Sequence, residues 1–228
     1  MNQKVIVIGI TIIVVLILVL GTLPVYGVPL DTPFRVSPQQ LTNQTCVLFI
    51  SWYGCPYGAT DSWALYLALS HYGKLNVTLN HSDPLDEYPN TSGLIFEGFT
   101  PNSTVRFRVI YLYNEYLNAS ANGTPINNYV EYGLQLIRDE APWAYPLVNR
   151  YEVQSFASGE FFRPAVDLGS PSHIPSTIII SGPKGTYMVI GYLYSPSTIT
   201  GYSPEQLLHN LTSLEPVVSA SEEIEGLL

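Results

Sequence analysis

The sequence predicts an α/β domain, a mixed sheet flanked by helices with a helical or irregular insertion, carried behind an N-terminal transmembrane helix. Three observations carry that expectation. Cys46 to Trp52 is a continuous apolar run of strand length that passes through Gly54-Cys55-Pro56 into a helical segment. Ser176 to Gly191 holds two apolar runs joined by Gly182-Pro-Lys-Gly185, the pattern of a hairpin. Val5 to Leu20 is apolar apart from Gly9 and Thr11 and extends weakly to Leu23, close to the ~20 residues that span a bilayer as a helix.

In chain order, residues 1–23 read as an uncleaved signal-anchor. The apolar stretch exceeds the 7–15 residues typical of a cleaved signal, and Val25-Tyr26-Gly27 is a poor cleavage site. Lys4 is the only charged side chain beside it, which places the N-terminus in the cytoplasm and the rest of the chain outside the cell membrane. Residues 24–44, rich in Pro, Gly, Thr and Gln, read as a tether to a single ectodomain over 45–215.

Within that domain, Ala59 to Tyr72 carries Ala59, Trp63, Tyr66, Leu67 and Ser70 at helical spacing, with Gly73 as a stop. Leu75, Val77 and Leu79 alternate with polar residues and predict a second strand. Asp83 to Asn90 is a turn-rich loop, and Val105 to Tyr113 alternates as a further strand. The insertion covers about 114–170. It contains a helix over Tyr129–Glu140, with Asn128 as N-cap and Glu131 completing a capping box. The rest of it holds Trp143, Tyr145, Tyr151, Phe156, Phe161 and Phe162, which read as packing of the insertion or as a sugar- or peptide-binding surface. Ser203-Pro204-Glu205-Gln206 starts the last helix, and the acidic tail 216–228 reads as frayed.

Composition bounds the function. Charged residues make up 12% of the chain and the formal charge is −9, which excludes a basic footprint for nucleic acid. So low a charge suits an acidic exterior, and equally suits a glycosylated surface. Sequons at Asn43, Asn76, Asn80, Asn90, Asn102, Asn118, Asn122 and Asn210 support an externally facing glycoprotein.

The chemistry centres on Cys55. A cysteine at a helix N-terminus meets unpaired N–H groups and a favourable dipole, which can lower its pKa to about 3.5–7.5. Gly58 stands where the second thiol of a Cys-x-x-Cys would be, so an attacking Cys55 needs an external thiol to release its product. Cys46 is no substitute. A strand of seven residues at ~3.3 Å each separates it from Cys55 by about 20 Å, beyond the ~7 Å Cα limit for a disulfide. His71, His81, His173 and His209 show no metal spacing. Asp83, Asp86 and Glu87 lack the EF-hand pattern and read as turn caps. No cofactor motif and no metal site is expected.

The element order, with Pro175 leading His173-Ile-Pro-Ser-Thr-Ile-Ile-Ile180, resembles the thioredoxin fold. That resemblance implies a cis-proline at Pro175 facing Cys55. It also implies a binding surface drawn from Trp52, Tyr53, Pro56, Tyr57, Gly58 and Ile174. Cys55 to Gly73, Asp86 to Asn90 and Tyr192 to Pro196 are further similar to a membrane-anchored archaeal family of thermoacidophiles, domain of unknown function 929. The usual motif of that family is Cys-Pro-Tyr-Cys, and Gly58 departs from it. The resemblance implies a membrane-anchored, extracytoplasmic thioredoxin-like domain whose dithiol activity is lost, with a binding or envelope-associated role. Monothiol exchange on exported proteins through Cys55 is the alternative, and a structural envelope subunit is a third class.

Overall fold

A computed structural model of the protein describes residues 26–228. The signal-anchor expected over 1–23 lies outside the described residues. Among the described residues no helix is long and apolar enough to cross a membrane.

The strands in chain order are β1 (Tyr26–Val28), β2 (Phe34–Ser37), β3 (Cys46–Ser51), β4 (Gly73–His81), β5 (Ser92–Pro101), β6 (Arg106–Tyr111), β7 (Phe156–Ala157), β8 (Thr177–Gly182) and β9 (Gly185–Ile190). The helices are α1 (Pro56–Ser70), α2 (Tyr129–Glu140), α3 (Tyr145–Val148), α4 (Pro204–Asn210) and α5 (Glu215–Leu227). The main sheet is mixed, in the order β2-β9-β8-β3-β6. β3 is central, parallel to β6 and antiparallel to β8, and every one of its residues is buried. A strand covered on both faces reads as a continuous apolar run, because neither of its alternating faces meets water.

That alternation divides the core. Val47 and Phe49 of β3 pack with Ile178 and Ile180 of β8 against Trp63 and Leu65 of α1 and Ile224 of α5. Leu48 and Ile50 face the other way, with Ile179 and Met188, toward Ile137 of α2 and Val148 of α3. The insertion therefore forms the second helical layer of the domain.

One expected strand is found with a pairing of its own, and three expectations are corrected. The strand around Leu75, Val77 and Leu79 exists as β4, but it pairs only with β5, outside the main sheet. The β4–β5 hairpin instead covers α1. Trp63 Nε1 donates to the Ser92 carbonyl (2.8 Å), Leu94 N–H donates to Ser62 Oγ (2.8 Å), and a Cβ on Gly93 would sit 2.6 Å from Ala59. So covered, α1 buries Thr60, Asp61 and Ser62 along with its apolar residues, which is why its sequence lacks a clean apolar stripe.

First among the corrections, residues 26–37 are not a free tether, since β2 forms the edge of the main sheet and β1 pairs with β7. Phe34 packs edge-on against Tyr151, and Leu41 N–H donates to Ser181 Oγ. Secondly, the acidic tail is the helix α5, with Pro216 at its start and Val217, Ala220 and Ile224 buried on the core. Lastly, the Ile174–Pro175 bond is not cis; the one cis peptide among the described residues is Ser170–Pro171. The extended run into β8 is pinned by His173 N–H to the Val166 carbonyl and by Ile174 N–H to the Tyr113 hydroxyl.

Both predicted N-caps form, although at Asn128 only the Asn128 half of the expected capping box is made. Asn128 Oδ1 accepts from Glu131 N–H at the start of α2, and Ser203 and Gln206 exchange both bonds of a capping box on α4.

Candidate functional site

Cys55 sits where β3 hands over to α1. The turn is fixed by backbone bonds: Cys55 N–H to the Trp52 carbonyl, Tyr53 N–H to the Tyr113 carbonyl, and Asp83 N–H to the Gly54 carbonyl. Gly54 is required by packing, since a Cβ there would lie 1.8 Å from the Glu115 carbonyl oxygen. Cys55 is the N-cap of α1, its Sγ accepting from Gly58 N–H at 3.3 Å.

The helix terminus does not make this thiol acidic. Only 4% of Cys55 is exposed, and burial pushes the thiol up to about 12 despite the opposing bonds from Gly58, Ser51 and Tyr57. The expected depression is thus reversed. Stripping the anion of water costs more than one helix terminus returns. Cys46 is also a buried free thiol, at the far end of β3 opposite Arg106 and Ser181. It behaves as the small apolar core residue expected of it.

Position 58 is occupied by packing rather than by a missing group. A Cβ on Gly58 would lie 2.0 Å from Ser51 Oγ and 3.3 Å from Ser176 Oγ. Two serine hydroxyls flank the place of a second thiol, and both are buried without a geometrically complete hydrogen bond to any described residue.

Cys55 and Pro175 share the wall of a cleft of about 480 Å³. Of the expected binding residues, Trp52, Pro56 and Tyr57 line it, whereas Tyr53, Gly58 and Ile174 do not. Tyr53 stacks on Tyr111 (4.8 Å), Gly58 lies under Ser51, and Ile174 is fully buried in the core. His173 lines the cleft edge-on to Trp52 (5.9 Å), with Nδ1 2.7 Å from the Pro171 carbonyl. Burial lowers its pKa, so it is neutral at pH 7.

Sequence reasoning missed the other wall. Asp31, Asp83, Asp86, Glu87 and Tyr192 join the lining from loops far apart in the chain. Tyr57 is their meeting point, 5.0 Å from the Tyr192 ring and 6.1 Å from that of Tyr88. The Cys55, Asp86-to-Asn90 and Tyr192 segments, which carry the family resemblance, therefore converge in space. A signal for this existed in their shared Tyr and Pro content, but not in their spacing. Asp83 and Asp86 do cap turns as expected, accepting from Leu85 N–H and Glu87 N–H respectively.

The model of the family described as Domain of unknown function (DUF929) matches residues 32–228. The chain belongs to that family. No curated protein and no solved structure matches it. The match begins just before β2 and runs through α5, so residues 32–44 of the expected tether and all of the expected tail fall within the DUF929 domain.

Of the eight sequons in this DUF929 chain, seven place their Asn on the exposed surface. Asn80 is the exception: it is half-buried and its side-chain amide donates to the Tyr53 carbonyl at 2.9 Å. Among the described residues no group of three His, Cys, Asp or Glu side chains is arranged to hold a metal ion.

Proposed function

We propose that this chain is a signal-anchored, extracytoplasmic thioredoxin-like domain that has lost dithiol exchange and uses the cleft beside Cys55 and Pro175 for binding. The sheet order β9-β8-β3-β6 supports the thioredoxin-like reading, with β3 parallel to β6 and antiparallel to the Pro175-led β8. So does the cysteine at the junction of β3 and α1. Seven exposed sequons favour a surface facing outward, among exported proteins or envelope components.

The observation that carries the loss of redox function is the state of Cys55. A thiol near 12 that already serves as a helix cap contributes almost no thiolate at neutral or acidic pH. The Ser51 hydroxyl packs where the Cβ of a second cysteine at position 58 would sit. The test is turnover of disulfide-bonded substrates by the full chain. No turnover above background is expected, and Cys55→Ser changes nothing. Turnover that disappears in Cys55→Ser, with a mixed disulfide trapped on non-reducing gels, would establish monothiol exchange instead.

A further inference from the structure

We infer that the Cys55 cleft takes an extended segment of another polypeptide that carries Lys or Arg side chains beside apolar ones. The inference rests on the binding role proposed above and names the class of its occupant.

Charge is the first observation. Asp31, Asp83, Asp86, Glu87 and Glu160 all line the cleft, and among the described residues no Lys or Arg does. Of these, only Glu160 forms a salt bridge among the described residues, with Arg163 at 3.8 Å across an exposed and therefore weak pair. Asp83, Asp86 and Glu87 form no salt bridge among the described residues, although the loop concentrates three carboxylates within five residues. Such a wall repels anions and attracts cations, and the faces of Tyr57 and Tyr192 beside it add a surface on which ammonium or guanidinium groups rest favourably.

The second observation is independent of charge. Trp52 Nε1 is buried and without a hydrogen-bond partner among the described residues, and Trp52, 5% exposed, forms part of the cleft wall. A buried donor left unmatched is costly, and a carbonyl group of a seated backbone would satisfy it.

The third concerns the mouth. The four most exposed large apolar side chains among the described residues are Phe161 (89%), Leu85 (87%), Phe162 (58%) and Tyr116 (52%). Leu85 and Tyr116 line the cleft, and the Phe pair directly follows Glu160, which also lines it. Leu85 and Tyr116, held in water at an acidic opening, fit a partner longer than the cleft, whose apolar residues cover them. The carboxylates are spread around the opening and do not converge as metal ligands would.

The test is calorimetric titration of the full chain at near-neutral pH with three synthetic nonapeptides alternating Leu with Lys, Gln or Glu. The Lys peptide is expected to bind at least tenfold more tightly than the Gln peptide, with the Glu peptide weakest and affinity falling as salt rises. Asp86→Asn with Glu87→Gln should weaken the Lys peptide at least fivefold. The remote pair Asp139→Asn with Glu140→Gln should leave it unchanged, and an equal loss there would show that only net charge is read. Equal binding of all three peptides overturns the inference and leaves the binding role standing. Binding of none overturns both. A free polyamine that binds as tightly as the Lys peptide, or self-association that the Lys peptide cannot dissolve, overturns the choice of a polypeptide partner.

Discussion

Beneath Cys55 the molecule is packed and neutral, whereas in front of Cys55 it is open and acidic. The lower region is made of β3 and β8, buried along their whole length, and of α1, most of whose residues are buried, with serine hydroxyls crowding Gly58. The upper region is made of loops around residues 31, 83–87, 116 and 160, with carboxylates and exposed apolar side chains. In a dithiol enzyme the two regions would have to cooperate at one accessible sulfur. Here the sulfur belongs to the lower region, as a helix cap. The part of the site that can meet a partner belongs to the upper one. Substitutions below should therefore cost stability and spare binding, and substitutions above should do the reverse.

The largest expected effect lies below. Trp63 is fully buried and bonded to the Ser92 carbonyl, so Trp63→Ala should destabilise the fold by about 3–5 kcal/mol. Denaturant unfolding measures it. Peptide binding by the fraction still folded should be unaltered.

Next comes pH. Glu152 is fully buried, its Oε1 held by Thr177 and its Oε2 without a partner among the described residues, and burial pushes it from an ordinary 4.5 up to about 8. The folded state then holds that proton more tightly than the unfolded chain does. Stability from this group is complete below about pH 4.5 and is lost as pH rises toward 8. Asp61, also raised by burial, acts in the same direction. The melting temperature should fall across this window, and Glu152→Gln should flatten the fall. A melting temperature that rises from pH 4.5 to 8 would contradict the burial of these groups.

A smaller loss is expected from Gly58→Cys, which completes a Cys-x-x-Cys with Cys55 but drives its Cβ onto Ser51 Oγ. Overpacking of this kind costs about 1–3 kcal/mol. Ser51→Gly in the same chain should recover most of it, and thermal melts of the single and double variants decide the matter. Smaller again is Cys55→Ala, which removes the sulfur acceptor at Gly58 N–H and should cost about 0.5–1 kcal/mol, while Cys55→Ser keeps an acceptor there. The smallest effect belongs above. Glu87→Gln on its exposed loop should leave stability within about 0.5 kcal/mol.

The same contrast separates what was legible in the sequence from what was not. The lower region is built from local signals. The apolar run of β3, the turn at Gly54-Cys55-Pro56, the caps at Asn128 and Ser203 and the β8–β9 hairpin each announce themselves within a few residues. Errors arose where tertiary partners override local character. β5 begins buried under α1 and ends exposed, so Ser92–Pro101 shows no single period. Pro216 and four glutamates disguise α5, although Val217, Ala220 and Ile224 recur at helical spacing. The pKa of Cys55 could not be read from its place at a helix terminus, because it depends on what covers the sulfur. The acidic wall draws on loops separated by more than a hundred residues, so no motif contains it.

The central claim, that Cys55 belongs to the packed side of this divide, is tested most directly by thiol labelling of the native full chain against pH. The prediction is negligible labelling of Cys55 from neutral pH up to the point of unfolding, at a rate no faster than that of Cys46. Rapid labelling of Cys55 near neutral pH, absent in Cys55→Ser and far faster than labelling of Cys46, would contradict it.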